Sequence, residues 1–302
     1  MKEVYDLADL RKGSVKKSRP PIRLGVLGHP VAHSLSPQMQ NAALEKSGLE
    51  MRYARFEIVP GELQSALESL PRLDFIGVNL TVPHKIAALA FVNEADETAC
   101  KIGAVNTVKV EREKLLGFNT DGKGFSRAIR EEFSVDLRDL RVLLLGAGGA
   151  ARAIACQCAQ ENSERLVIAN RDLEKAKRLA EELRPFFTGP KVLGPVPRLQ
   201  AIDLDEAALR FQIANADLVV NATSLGLNRA DPAPIPARLL APHLMVYDTV
   251  YASGSTAFVS SAIEAGTRAA NGLSMLLHQG ALAFEIWFDR AAPLETMRKA
   301  LL

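Results

Sequence analysis

The residues able to do chemistry in this chain gather in a few short stretches. "GHPVAHSLSP", residues 28–37, sets two hydroxyls, Ser34 and Ser36, around a leucine just before a helix-type segment. They read either as a turn residue and a helix cap or as a hydroxyl pair that takes a carboxylate near a helix N-terminus. "GVNLTVPHK", residues 77–85, puts Asn79 and Thr81 on one face of a strand and delivers Lys85 just after it. "GAVNTV" adds Asn106 and "GFNTDG" adds Asp121. Amide and hydroxyl side chains converging from strand ends suit a ligand with several hydroxyls, because each hydroxyl needs a partner once water is removed. Lys85 and Asp121, taken on their own, read first as a plain surface ion pair. His84 reads as a bystander.

A second kind of site stands at residues 146–151, G-A-G-G-A-A, after "RVLLL" and before an Ala-rich helix. Gly146 permits a tight turn, Gly148 lets a backbone approach a pyrophosphate, and the small Ala151 allows close helix–strand packing. The strand–turn–helix context, with a further strand after it, makes this a dinucleotide-binding fingerprint. At the end of that next strand stands "ANRDLEK". Arg171 and Lys175, beside Asn170, can clamp a 2′-phosphate. Asp172 argues for NAD, by repelling that phosphate or accepting a ribose hydroxyl, unless it caps the following helix. The balance favours NADP.

These sites need elements to hold them, and the pattern is α/β. From Ile22, short apolar runs alternate with helix-period segments: "IRLGVLG", "RYARFEIV" and "LDFIGVNLTV" as strands, "SPQMQNAALEKSG", "GELQSALESLP" and "PHKIAALAFVNEAD" as helices. Ser36 is expected at an N-cap, Pro37 at the first helical position and Gly48 at the stop. Pro83 is expected to open a helix with Lys85 in its first turn. "GAVNTVKV" and "KLLGFNTDG" suggest a strand pair or a strand and a loop. The pattern then restarts at residue 140 with a βαβ unit and two more strands. The Pro-rich "GPKVLGPVPR" and "DPAPIP" read as surface connections, and "NGLSMLLHQGALAFEIWF" as a long apolar helix that returns to the first half.

The 302 residues, 48% hydrophobic with a formal net charge of +2, suit two soluble domains. They give no general case for nucleic acid or membrane as partner. Residues 11–23 carry six basic residues and no acidic one, and read as part of a flexible tail over 1–21. No apolar run suits a signal peptide or a membrane span. Three cysteines without metal or disulfide spacing suggest a reducing cytoplasm, and neither they nor the five histidines suggest a metal.

"HSLSP", "NLTVPHK", "GAVNT", "NTDG", "GAGGAA", "NR", "NATSLG" and "NGLSMLLHQGA", in this order, resemble the shikimate dehydrogenase family from about Ile22 to the end. The resemblance implies NADP-linked reduction of 3-dehydroshikimate to shikimate in aromatic amino-acid biosynthesis. It implies an N-terminal α/β substrate domain with a mainly parallel sheet (22–120 plus 273–302), a Rossmann-type NADP-binding domain (121–272) and a cleft between them. Lys85 and Asp121 would be catalytic, and Ser34 and Ser36 would take the substrate carboxylate. Asn79, Thr81, Asn106 and Gln279 would meet the ring hydroxyls, with Tyr251 nearby. Gly146, Ala147, Gly148, Gly149 and Ala150 would hold the pyrophosphate, and Asn170, Arg171 and Lys175 the adenosine ribose. Gly272 would lie beside the nicotinamide, and Glu97 on the cofactor side of the cleft. Two positions depart from the family pattern: Asp172 stands where a small hydroxyl residue is usual, leaving NAD possible, and Thr249 stands where a bulkier apolar residue lines the nicotinamide pocket. The alternative within enzymes is an NAD-preferring quinate/shikimate dehydrogenase, against which both members of the serine pair argue. The protein is expected as a monomer or homodimer with a small-molecule substrate.

Overall fold

A computed structural model of the chain describes residues 2–187, 197–228, 230–251 and 255–302. The fold is α/β and divides into two compact units, residues 1–124 with 276–302, and residues 125–275.

The first unit is built on β1 (Val4–Tyr5), β2 (Ile22–Gly28), β3 (Arg52–Glu57), β4 (Gly77–Leu80), β5 (Glu94–Ala95), β6 (Thr107–Glu111) and β7 (Lys114–Phe118), ordered β1-β3-β2-β4-β6-β7-β5. The strands β1, β3, β2 and β4 run parallel, and β6 pairs antiparallel with both β4 and β7. Nearly continuous burial of β2 and β4 is what a parallel strand covered on both faces requires. Helices α1 (Leu7–Lys12), α2 (Ser36–Lys46), α3 (Leu63–Ser69) and α4 (Glu97–Ile102) accompany this sheet, and α5 (Asp121–Phe133) leads out of it.

The second unit is a six-stranded parallel sheet made of β8 (Arg141–Leu145), β9 (Arg165–Asn170), β10 (Leu199–Asp203), β11 (Leu218–Asn221), β12 (Met245–Asp248) and β13 (Arg268–Ala270). Its order, β10-β9-β8-β11-β12-β13, is that of a doubly wound dinucleotide-binding sheet. Helices α6 (Gly149–Gln160), α7 (Leu173–Leu183), α8 (Glu206–Ala214) and α9 (Ala257–Glu264) connect it. Helix α10 (Leu273–Phe288) then carries the chain back to the first unit, and α11 (Leu294–Lys299) follows. There α10 is tied in by side chains: Trp287 Nε1 donates to the Val108 carbonyl at 3.0 Å, and Gln40 Nε2 donates to the Gly280 carbonyl at 2.9 Å.

Three expectations are corrected. The basic segment at the start is not a flexible tail. Tyr5 packs on Phe56 and pairs with it in the sheet, α1 has a capping box between Asp6 and Asp9 and a left-handed Gly13 at its end, and Leu7, Leu10 and Val15 are buried. Its charges stay in water while a few spaced apolar side chains supply the anchorage. Second, Pro83 opens turns and a short 3₁₀ segment, Ala87–Ala90, in place of a helix. The Lys85 carbonyl is taken by the Val105 amide at 2.8 Å, so no regular i→i−4 ladder can run through it. Third, Ser36 does not cap α2. Leu35 holds that position without a side-chain bond, and the Ser36 amide donates to Ser34 Oγ at 3.3 Å. Most of "GPKVLGPVPR" lies outside the described residues.

Candidate active site

In the first unit, the carboxyl ends of β2 and β4, the β6–β7 pair, the start of α5 and Gln279 within α10 bring polar side chains together. Lys85 Nζ donates to Asp121 Oδ2 at 2.6 Å, with side chains only 16% and 4% exposed. That excludes the reading of a plain surface pair. The other oxygen, Oδ1, accepts from Asn106 Nδ2 at 2.8 Å. Asn106 is the hub: its amide also donates to Thr120 Oγ1 at 2.9 Å and Gln279 Oε1 at 3.4 Å. Its Oδ1 accepts from Thr107 Oγ1 and from the Thr120 amide, both at 2.9 Å. Such a network fixes which way the amide points, and so which oxygen of Asp121 it occupies. Asp121 begins α5, where a carboxylate is favoured by the helix dipole.

Asn79 joins from β4. Its Oδ1 accepts from the buried Tyr53 hydroxyl at 2.8 Å, while its Nδ2 donates to Thr107 Oγ1 at 3.0 Å and the Asn106 carbonyl at 3.2 Å. Both amide protons are therefore spent inside the protein, and what Asn79 can still offer is acceptor capacity on Oδ1. Thr81 follows β4 half-buried, its amide donating to the Leu27 carbonyl at 3.0 Å. Ser34 and Ser36 stand where β2 leads into α2, Ser36 buried and Ser34 half-buried. His84 is buried, its Nε2 2.7 Å from the Ile58 carbonyl, and burial lowers its pKa. Glu97 stands apart at the start of α4, 82% exposed and paired with Lys101. Sequence reasoning missed Tyr53, Thr107 and Thr120, which hold the cluster together from beneath.

In the second unit, the glycine turn joins β8 to α6 where the strand order reverses, the place where such sheets take ligands. Gly146 has φ +112, and a Cβ there would sit 2.8 Å from the Ala222 carbonyl oxygen, so only glycine fits. Gly148 caps α6, and a Cβ there would meet nothing within 4 Å, which leaves open space over the turn. Ala147, Gly149 and Ala150 complete it, with Gly149 and Ala150 in the first turn of α6. At the end of β9, Asn170 Nδ2 donates to the Asp172 carbonyl at 2.8 Å, and Asp172 caps α7 by accepting from the Lys175 amide at 3.3 Å. The helix cap thus accounts for the acidic residue that argued for NAD. That cap, then the Lys175 side chain, holds the Asp172 carboxyl below its usual range. Arg171 is exposed beside it. Gly272 packs on the Thr249 backbone, where a Cβ would come within 2.2 Å of the Thr249 oxygen. Tyr251 lies half-buried in this unit, after β12.

A buried polar brace, also missed, lies at the ends of β11 and β12. Asn221 Nδ2 donates to Asp248 Oδ1 at 2.8 Å and Thr256 Oγ1 to Asp248 Oδ2 at 2.6 Å, while burial raises the Asp248 pKa. Cys156 and Cys158 are buried in α6, and burial pushes their thiols up to about 11 and about 12. Among the described residues, no cluster of histidine, cysteine and acidic side chains could hold a metal, and no helix is long and apolar enough to cross a membrane.

The comparisons agree over most of the chain. A family model described as the shikimate dehydrogenase substrate binding domain matches residues 26–108, one described as shikimate / quinate 5-dehydrogenase matches 127–228, and one described as the shikimate 5′-dehydrogenase C-terminal domain matches 272–302. The shikimate dehydrogenase (NADP(+)) of Methanopyrus kandleri is 43% identical over 281 residues, covering 92% of this chain and 94% of the relative. The crystal structure of shikimate 5-dehydrogenase from Thermus thermophilus, in complex with NADP(H) and shikimate, superposes with TM-score 0.78 at 39% identity, covering 93% of this chain and 98% of that one. Quinate dehydrogenase from Corynebacterium glutamicum, in complex with NAD, gives TM-score 0.79 at 29% identity, covering 92% and 98% of the two chains. With relatives this similar over nearly all of its length, and with both sheets and both residue clusters in place, the chain belongs to the shikimate dehydrogenase family.

Proposed function

We propose that the chain catalyses the reversible NADP-linked reduction of 3-dehydroshikimate to shikimate, a step of aromatic amino-acid biosynthesis. The observation that carries this reading is the buried Lys85–Asp121 pair, tied through Asn106 to Gln279. The second unit fits the cofactor: open space over Gly148 suits a pyrophosphate, and Arg171 and Lys175 suit a 2′-phosphate. When bound, NADPH supplies the hydride.

The chain's own residues manage the charge and the proton. As the C3 ketone of the substrate is reduced, charge develops on its oxygen, and the Lys85 ammonium stabilises that charge and donates the proton. Asp121 holds Lys85 through Oδ2 and is itself held through Oδ1 by Asn106, so the donor is oriented before substrate arrives. Ser34 and Ser36 take the substrate carboxylate. Thr81, Asn106 and Gln279 face the ring hydroxyls, and Asn79 accepts through Oδ1. In the oxidising direction Lys85 must take up the proton as a neutral amine.

Asp172's role as a cap, and NADP enzymes among the relatives, support NADP over the NAD-preferring quinate reading. Three free cysteines support a cytoplasmic enzyme, working as a monomer or homodimer. Initial rates with shikimate and with quinate, each with NADP and with NAD, test the proposal. Activity is expected with shikimate and NADP, and none in any combination overturns it.

A further inference from the structure

The loop that carries the two serines is held from one side by a single strand. Residues Tyr53, Arg55 and Glu57 alternate along β3 and so share a face. Arg55 and Glu57 are tied to the segment that runs from β2 into α2, and Tyr53 to α2 itself. Glu57 takes the start of the loop, its Oε2 accepting from the Val31 amide at 3.0 Å and its Oε1 meeting His29 Nδ1. Arg55 takes the end: Nε and Nη2 both donate to the Ser34 carbonyl, at 3.0 and 2.7 Å. Asn41, on α2, spans the Tyr53 backbone, donating to its carbonyl at 3.0 Å and accepting from its amide at 2.8 Å.

We infer that Arg55 is a positioning residue for substrate binding: its guanidinium fork fixes the Ser34 carbonyl, and through it the direction in which the Ser34 and Ser36 hydroxyls face the substrate carboxylate. Two donors from one rigid plane onto one carbonyl oxygen define a peptide orientation that one flexible donor cannot. Ser34 Oγ accepts from the Ser36 amide, so turning the Ser34 peptide disturbs both hydroxyls together. Arg55 also sets a cation at the Ser34 carbonyl, at the end of the loop that carries the hydroxyl pair. The inference rests on the proposed carboxylate role of the two serines and concerns binding, not the proton-transfer pair.

The test is steady-state kinetics of the full chain with shikimate and NADP, for wild type, Arg55→Met and Arg55→Lys, beside thermal melts. Wild-type activity is read first, and its absence counts against the proposed function itself. Given an active wild type, Arg55→Met should raise the shikimate KM roughly tenfold, the effect of leaving a polar group without its partner. It should leave kcat and the NADP KM within about threefold, the signature of lost ground-state binding. Arg55→Lys should recover part of the loss, because it restores the charge and one donor but not the fork. Glu57→Gln, which acts at the other end of the loop and keeps an acceptor for the Val31 amide, should show a smaller rise of the same kind and serves if Arg55→Met fails to fold. A shikimate KM unchanged in Arg55→Met overturns the inference. So does a parallel loss of kcat, both KM values and melting temperature, which would mark Arg55 as part of the general scaffold.

Discussion

Lys85 and Asp121 are 36 residues apart in sequence and 2.6 Å apart in space, joined by a hydrogen bond whose carboxylate is almost wholly buried. A paired buried carboxylate holds its lysine in one place. Removing the lysine takes away the counter-charge of Asp121 but leaves its bond from Asn106, so the carboxylate keeps one partner. Lys85→Ala is expected to lower kcat by roughly 10²–10⁴, the range for a general acid–base group, with a modest change in shikimate KM. Wild-type turnover in that variant would refute the assignment.

Ser36 is buried at the start of α2 and makes no side-chain cap there. The proposed role toward the substrate carboxylate therefore does not compete with a helix cap. Ser36→Ala should raise the shikimate KM by roughly five- to a hundredfold, the effect of leaving a charged group short of one donor, with little change in melting temperature. Titration of shikimate by calorimetry checks the same point without turnover, and equal affinity in the two proteins would remove Ser36 from the site.

His84 offers a pH test of the turn that presents Lys85. Burial lowers its pKa below the ordinary value of 6.5, so between the folded and unfolded values the unfolded chain binds more protons. Its contribution to stability is present above about pH 6.5 and is lost as pH falls through the folded value. Melting temperature should fall more steeply from about pH 7 to pH 5 in wild type than in His84→Gln, given that window. Parallel profiles would mean that this ring does not titrate differently on unfolding.

At the end of β9, Asp172 allows stability to be tested apart from cofactor preference. Asp172→Ala removes the cap of α7 and should lower the midpoint of a denaturant titration. Asp172→Ser keeps a capping oxygen and should restore most of that. Both remove a carboxylate near Arg171 and Lys175, so both should shift the ratio of kcat/KM for NADP over NAD upward. A fall in that ratio would mean that the carboxylate helps to bind the cofactor.

Leu10 gives a direct check on the folded start of the chain. It is 2% exposed in α1, and Leu10→Ala should destabilise the protein by about 2–5 kcal/mol, as for other buried leucines. A flexible tail would show no change.

The same segment shows where reading the chain as a string stops. Six basic residues in residues 11–23 dominate its composition, while the side chains that anchor the start of the chain are only Tyr5, Leu7, Leu10 and Val15, too few and too unevenly spaced to display a period. The glycine turn was legible because its geometry is local: β8, Gly146, Gly148 and α6 are consecutive. The 3₁₀ segment after Lys85 was not, because the Val105 amide that takes the Lys85 carbonyl is 20 residues away in sequence. The same holds for Tyr53, Arg55 and Thr107. Their types are ordinary in strands, and only the pairing of β3 with β2 and of β4 with β6 gives them partners.

The return of α10 has a consequence for how the protein is made. The second unit is one continuous stretch, residues 125–275, whereas the first needs Gln279, Gly280 and Trp287 to complete its network and its packing. Domains usually fold in the order in which the ribosome releases them. Here the half synthesised first must wait for α10, so a nascent chain completes its second unit before its first. A ribosome-bound chain stalled after the second unit would lack Gln279 and should be inactive toward shikimate.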